Sequence, residues 1–253
     1  MKLTSGNYFT SKNKHLSKSK LWDWKKDKEY FYKKNVTGEI EFKVTDPIII
    51  GSAVDTWVTG SEEEFRKQYN FVTRRSRKQG EWRYQLNPTM YSQIEKLSRV
   101  VTSQHAYKDL KDYTSQQILQ VDRKIGDHFE GLCGIPDWFK VEKDRAIIVD
   151  LKTTDDANQQ KYFYKCEALG YFTQMAFYAM LIAEIYKIPF NNIEYKHLVV
   201  EKDRLGINNC YAFELSPDRV ETAHEELLEI IEEIRNEKEF AKHNANWDNP
   251  IMI

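Results

Sequence analysis

Cysteine is nearly absent: Cys133, Cys166 and Cys210 are the only three in 253 residues. They are odd in number, widely spaced and form no C-x-x-C pair, which argues against a disulfide framework or a zinc site. Small buried apolar side chains are the simplest reading of all three. Long apolar runs are missing too. Neither Ile48-Ile49-Ile50 nor the segment around Ala176 approaches the ~18 residues needed to cross a bilayer. The opening Met1-Lys2-Leu3-Thr4-Ser5-Gly6 has no apolar stretch of a signal peptide, so a cytosolic location is expected. There is no G-x-x-x-x-G-K-[ST] loop, and hence no nucleotide-driven motor within this chain. The six histidines have no metal-ligand spacing, and His105, His128 and His197 read as structural or exposed. No internal repeat or low-complexity linker divides the chain.

The apolar fraction of 41%, with 13% aromatic, is ample for a core and excludes wholesale disorder. The length fits one large domain. It reads as a helical basic part over about 1–115, a sheet core over about 116–215 and an acidic helix over about 216–243. A net charge of −1 hides an asymmetry. Lysines crowd residues 1–44. Arg66, Lys67, Arg74, Arg75, Arg77, Lys78 and Arg83 follow, while the last helix carries Glu225, Glu226, Glu229, Glu232, Glu233 and Glu237. The local positive field is what a phosphate backbone would meet. Ordinary solvated faces are the alternative.

Periodicity predicts a helix over Lys14–Lys34, an extended piece at Ile40–Val44, a turn at Asp46-Pro47 and a helix from Ile48 to Trp57. Ser61-Glu62-Glu63-Glu64 has the form of a capped helix start. Residues 70–88 hold no period and read as a basic, aromatic loop. Helices follow over Thr89–Thr102 and Ser103–Leu110. Strands are expected at Ile118–Lys124, His128–Ile135 and Arg145–Lys152, with a hairpin turn at Val141–Asp144. Next come a helix over Tyr164–Tyr186, strands at Ile193–Glu201 and Cys210–Leu215, and a helix from Pro217 to about Phe240 capped by Ser216. This order indicates an α/β fold with a mixed central β-sheet flanked by helices.

The chemistry is concentrated in Ile147-Ile148-Val149-Asp150-Leu151-Lys152-Thr153-Thr154. Side chains alternate along a strand, so Asp150 and Lys152 share one face and Val149 and Leu151 the other. Asp137, in Gly134-Ile135-Pro136-Asp137, is near enough in sequence to reach the same space. Two carboxylates and an ammonium at a strand end suit a hard cation and a phosphodiester.

This constellation resembles the PD-(D/E)XK nuclease superfamily, whose pattern is Pro-Asp, a spacer, then Asp/Glu-x-Lys. Gln174-x-x-x-Tyr178 is similar to the Q-x-x-x-Y motif of the RecB-like and phage RecE/lambda-type exonuclease branch. Ser17-Lys18-Ser19-Lys20-Leu21 is similar to its S-x-S-x-L opening. The resemblance spans about residues 16 to 180 and implies a restriction-endonuclease-like core. It also implies Mg²⁺ or Mn²⁺ held by Asp137, Asp150 and the Leu151 carbonyl, with Lys152 placing water or balancing transition-state charge. Gln174 and Tyr178 would contact DNA or hold the motif strand; Tyr178 could equally be core.

The family's G-x-A-x-H pattern reads here Gly51-Ser52-Ala53-Val54-Asp55. Asp stands where His is expected, which makes Asp55 a candidate ligand and leaves altered activity open. Some RecB-like relatives hold an iron–sulfur cluster on four cysteines, more than this chain has. Arg74, Arg75, Arg77 and Lys78 would bind phosphates, and Trp82 and Tyr84 would either stack on unpaired bases or pack. The implied activity is a metal-dependent DNA exonuclease of phage or prophage type. Its implied partners are DNA, a single-strand annealing protein and a separate helicase. An endonuclease or defence nuclease on the same fold, a decayed DNA-binding module and a homo-oligomer all remain open.

Overall fold

In a computed structural model, the described residues are 2–10, 13–41, 43–71, 84–202 and 209–237. A short helix α1 (Ser5–Tyr8) leads to a two-residue strand β1 (His15–Leu16). The helix expected over Lys14–Lys34 is instead two, α2 (Lys18–Lys26) and α3 (Lys28–Asn35). Asp27 breaks it: extended at φ −162°, it accepts the Tyr30 N–H as N-cap of α3. No strand forms among the described residues of 40–44. Asp46-Pro47 is not a turn but the first turn of α4 (Asp46–Asp55), where proline lacks only a hydrogen bond that position never makes. A π-helical turn (Thr56–Gly60) follows, then α5 (Glu62–Gln68), whose Ser61 cap accepts the Glu64 N–H as expected.

Strands β2 (Tyr69–Phe71) and β3 (Tyr84–Leu86) pair in parallel. The loop expected over 70–88 is thus strand at both ends, Tyr84 included, and Pro88 already begins a helix; residues 72–83, with Arg74, Arg75, Arg77, Lys78 and Trp82, lie outside the described residues. Next come α6 (Pro88–Ser103), α7 (His105–Asp109), a 3-10 turn and β4 (Thr114–Ser115). Strands β5 (Leu119–Ile125), β6 (Phe129–Gly134), β7 (Trp138–Glu142) and β8 (Arg145–Thr154) follow, and the β7–β8 hairpin turns where expected. Strand β7 was not foreseen. The helix expected over Tyr164–Tyr186 is α8 (Gln159–Leu169) and α9 (Tyr171–Tyr186), bent by 64° at Gly170. Gly170 has φ +65°, and a Cβ there would lie 2.6 Å from the Trp22 ring. Only glycine takes that conformation and that approach without strain. Strands β9 (Ile193–Glu201) and β10 (Cys210–Glu214) and helix α10 (Pro217–Asn236) complete the described chain.

The strands do not form one central sheet around β5, β6 and β8. A mixed sheet runs β10-β9-β8-β7-β4, and a second runs β1-β6-β5. Strand β8 is central: antiparallel to β7 and parallel to β9 over Ala146–Thr154. Its alternation separates two cores. Ala146 and Ile148 pack with β5, β6, α9 and α10; Val149 and Leu151 pack with α4 and α6. Among the described residues no single helix is long and apolar enough to cross a membrane. Cys133 and Cys166 are buried, and Cys210 is half-buried.

The charge asymmetry is quenched more locally than the sequence suggested. Helix α10 lies against α2, where Lys25 meets Glu226 at 2.5 Å and Lys28 meets Glu233 at 2.9 Å. Such exposed pairs add little stability. They do remove Lys25 and Lys28 from any continuous positive face.

Candidate active site

Asp150 and Lys152 share the β8 face that looks toward α9, as alternation requires. Asp150 is 1% exposed and contacts the Lys152 ammonium directly. Gln174, one turn into α9, joins them: its Oε1 accepts from Lys152 Nζ at 3.0 Å and its Nε2 donates to Asp150 Oδ1 at 2.9 Å. The same Nε2 lies 3.1 Å from the Tyr178 hydroxyl, one helical turn on. Tyr178 is 9% exposed and touches the Gly134 position, so its ring is part of the core while its hydroxyl faces the cluster.

Asp137 precedes β7, whose ladder with β8 ends at the Trp138–Val149 pair. Beyond that pair the Leu151 N–H has no β7 partner, and Asp137 Oδ2 accepts it at 2.7 Å. The sequence assigned Leu151 through its carbonyl; the structure shows its N–H fixing the neighbouring acid. Asp55 ends α4, which packs on the C-terminal part of β8, a Gly51 Cβ lying only 3.6 Å from Thr153 Oγ1. The fold therefore brings Asp55, Asp137, Asp150, Lys152, Gln174 and Tyr178 together.

Asp55, Asp137 and Tyr178 line a cleft of about 520 Å³, whose other wall includes Ser17, Lys18, Ser19 and Lys20. Asp55 and Asp137 are half-buried and Asp150 lies beneath them. Burial, then the Asp150 charge, pushes the Asp55 carboxyl up to about 7. Burial, then Asp55 and Asp150, holds Asp137 well above the ordinary carboxyl range. Burial opposes the Lys152 ammonium, but Asp150 and Asp137 together outweigh it and raise its pKa. Lys18 is lowered to about 8 by burial and then by Lys152. A larger cavity of about 840 Å³ opens at the opposite end of β8–β9, lined by Arg145, Phe190, Tyr195 and His224, and contains none of these groups.

The donor set suits a hard divalent ion. Asp150 Oδ2 is buried without a hydrogen bond among the described residues, facing only the Lys152 ammonium. Three carboxylates against one close ammonium leave net negative charge that a proton or cation must balance. Among the described residues no three or more His, Cys, Asp or Glu side chains are drawn together closely enough to hold a metal ion as they stand.

Three further neighbours had no role in the sequence reading, although Lys18 fills an unspecified position of the S-x-S-x-L opening. Tyr171 places its ring 4.6 Å from Lys152 Nζ. It lies three residues before Gln174 on the same helix, a spacing that was readable. Lys18 donates to the Leu169 carbonyl at 3.1 Å, closing the cleft beside the α8–α9 bend. Gln116 bridges Asp55 and Asp137, and nothing in its sequence context signals this. His197 pairs with Asp150 across the β8–β9 ladder but is fully buried, Nδ1 2.8 Å from the Tyr162 hydroxyl, and burial lowers its pKa well below the usual value. His105 is exposed at the surface.

A family profile described as a PDDEXK-like domain of unknown function (DUF3799) matches residues 17–246. A solved structure described as a "Putative exonuclease" from Eubacterium rectale superposes with a TM-score of 0.65 at 15% identity, covering 100% of this chain and 97% of that one. At that identity the likeness speaks to the fold, and it agrees with the restriction-endonuclease-like core. A structure of SSO0001 gives a TM-score of 0.31 at 10% identity over 84% of this chain and 83% of that one, which carries no argument. No curated protein matches the chain in sequence.

Proposed function

The chain belongs to the PDDEXK-like family, and from that premise we propose that it is a divalent-metal-dependent nuclease that hydrolyses DNA phosphodiester bonds from an end. The observation that carries the reading is the buried Asp150–Lys152 pair held by Gln174, with Asp137 fixed to the next backbone N–H. Asp55, Asp137 and Asp150 would hold the ion, with the Leu151 carbonyl beside them. A bound Mg²⁺ or Mn²⁺ supplies Lewis-acid polarisation of a phosphoryl oxygen and a water of lowered pKa.

The protein's own groups do the rest. Lys152 is kept charged by Asp150 and Asp137 and is oriented by the Gln174 carbonyl, so it can stabilise charge developing on the phosphoryl group. Gln174 holds both charged partners at once, its carbonyl accepting from the lysine and its amide donating to Asp150. Lys18, on the opposite wall, would meet a substrate phosphate on leaving the Leu169 carbonyl, whereas Lys20 is held by the Asn13 and His15 carbonyls. The proposed partners are duplex ends or single strands of DNA; a helicase or annealing protein would be a separate chain.

The test is end-labelled linear duplex incubated with Mg²⁺, Mn²⁺ or EDTA, beside covalently closed circular DNA. Metal-dependent loss of linear DNA alone supports an exonuclease. Cleavage of the circle would make it an endonuclease. DNA binding without cleavage in either metal would refute the enzymatic reading.

A further inference from the structure

Gln116 stands where the proposed ion ligands face each other. Its side-chain Nε2 lies 3.3 and 3.2 Å from Asp55 Oδ1 and Oδ2, and 3.3 Å from Asp137 Oδ1. Its backbone N–H donates to the Asp137 carbonyl at 3.2 Å. The residue has φ +52°, in the left-handed region that side chains other than glycine, asparagine and aspartate seldom enter. A glutamine held there costs conformational energy, and such strain concentrates at working sites. The amide presents its nitrogen to these acids. An N–H₂ group with partial positive charge thus sits between two carboxylates, near a third, Asp150, whose buried Oδ2 is ion-paired with Lys152.

We propose that Gln116 holds the cation position of the ion-free site and must swing out before a divalent ion can reach Asp55 and Asp137. The inference rests on the reading above, that these carboxylates are the ion ligands. Without the amide, Asp55 and Asp137 would face each other with only shared protons between them. With it, the amide lies against both acids, which also share a hydrogen bond with each other while the ion is absent. Gln116 is exposed on its loop, between β4 and β5, at the lining of the cleft. The competition costs ion affinity by roughly the worth of the hydrogen bonds broken.

Calorimetric titration with MnCl₂ alone, without DNA, tests this on wild type, Gln116→Leu, Gln116→Gly and Asp55→Asn. Gln116→Leu removes the amide and keeps the strain; Gln116→Gly removes both and protects against a folding failure. Both should bind Mn²⁺ about fivefold more tightly than wild type, the equivalent of one net hydrogen bond. Asp55→Asn should bind more weakly. Unchanged affinity in both Gln116 variants overturns the proposal. Weaker affinity overturns it also and makes Gln116 a ligand. Tightening in Gln116→Gly alone would assign the effect to loop strain and not to the amide. If wild type binds no Mn²⁺, the ion-site reading itself fails and this proposal falls with it.

Discussion

Asp55 offers a quantitative test through pH. Its carboxyl rises from 3.8 in the unfolded chain to about 7 in the folded one, pushed first by burial and then by Asp150. The folded state therefore binds the proton more tightly. That stability is fully present below the unfolded pKa and is lost as pH rises through about 7. Three units would amount to about 4 kcal/mol at most. Asp55 is only half-buried at the cleft wall, and solvent screening brings the expected figure to about 1–3 kcal/mol. The perturbation is Asp55→Asn, which cannot ionise. The assay is urea unfolding in a chelator, for both proteins, from about pH 4 to about pH 8. Comparing the two cancels His197, whose depressed pKa makes stability rise with pH until about 6.5 and no further. Wild type should lose about 1–3 kcal/mol relative to the variant across the window, the change centring between 3.8 and about 7. Saturating Mg²⁺ should reverse the order near neutral pH, because the ion binds the charged acids of the wild type. A difference flat to within about 0.5 kcal/mol would refute the burial and charge argument at Asp55.

Further outcomes follow from the same geometry. Asp150→Ala, Asp137→Ala and Lys152→Ala should each abolish cleavage of linear duplex while leaving DNA retention in a gel-shift assay largely intact; near wild-type cleavage by any of them would break the site assignment. Tyr171→Leu should slow turnover more than it raises KM, and Tyr171→Phe should restore it, since the ring under Lys152 and not the hydroxyl makes the contact; equal losses in both variants would assign the effect to the hydroxyl and refute the ring contact. Gly170→Ala should destabilise by about 2–4 kcal/mol in urea, from left-handed strain plus the approach to Trp22; a loss under about 0.5 kcal/mol would show that the α8–α9 bend is slack. Replacing Arg74, Arg75 and Arg77 by Ala should flatten the salt dependence of duplex binding by roughly 0.9 in log–log slope for every phosphate no longer neutralised, and an unchanged slope would leave these arginines solvated.

Local pattern settled much of this protein. Alternation along Ile147–Lys152 placed Asp150 and Lys152 on one face, and the structure puts both against α9. The four-residue step from Gln174 to Tyr178 placed them on one helical stripe, where one amide touches both strand and tyrosine. These are matters of backbone period, which a few neighbouring residues determine. Boundaries were less legible where one residue type serves two structures. Pro47 suits a turn or a helix start equally, and only the packing of Ile49, Ile50, Ala53 and Val54 chose the helix. Asp27 and Gly170 end helices whose apolar spacing runs on across them, so periodicity alone joined what a cap and a left-handed residue divide. Tertiary structure alone decided the remainder. It set α10 against α2 and so spent part of the basic block on glutamates 201 and 205 residues away, as Lys25–Glu226 and Lys28–Glu233 show. It also brought Gln116 from beyond three helices to Asp55, 61 residues earlier, and turned it toward Asp137. Contacts over such separations depend on how the sheet orders its strands and on which helix covers which face. No short window of sequence carries that information, because the energy that selects it is summed over both cores.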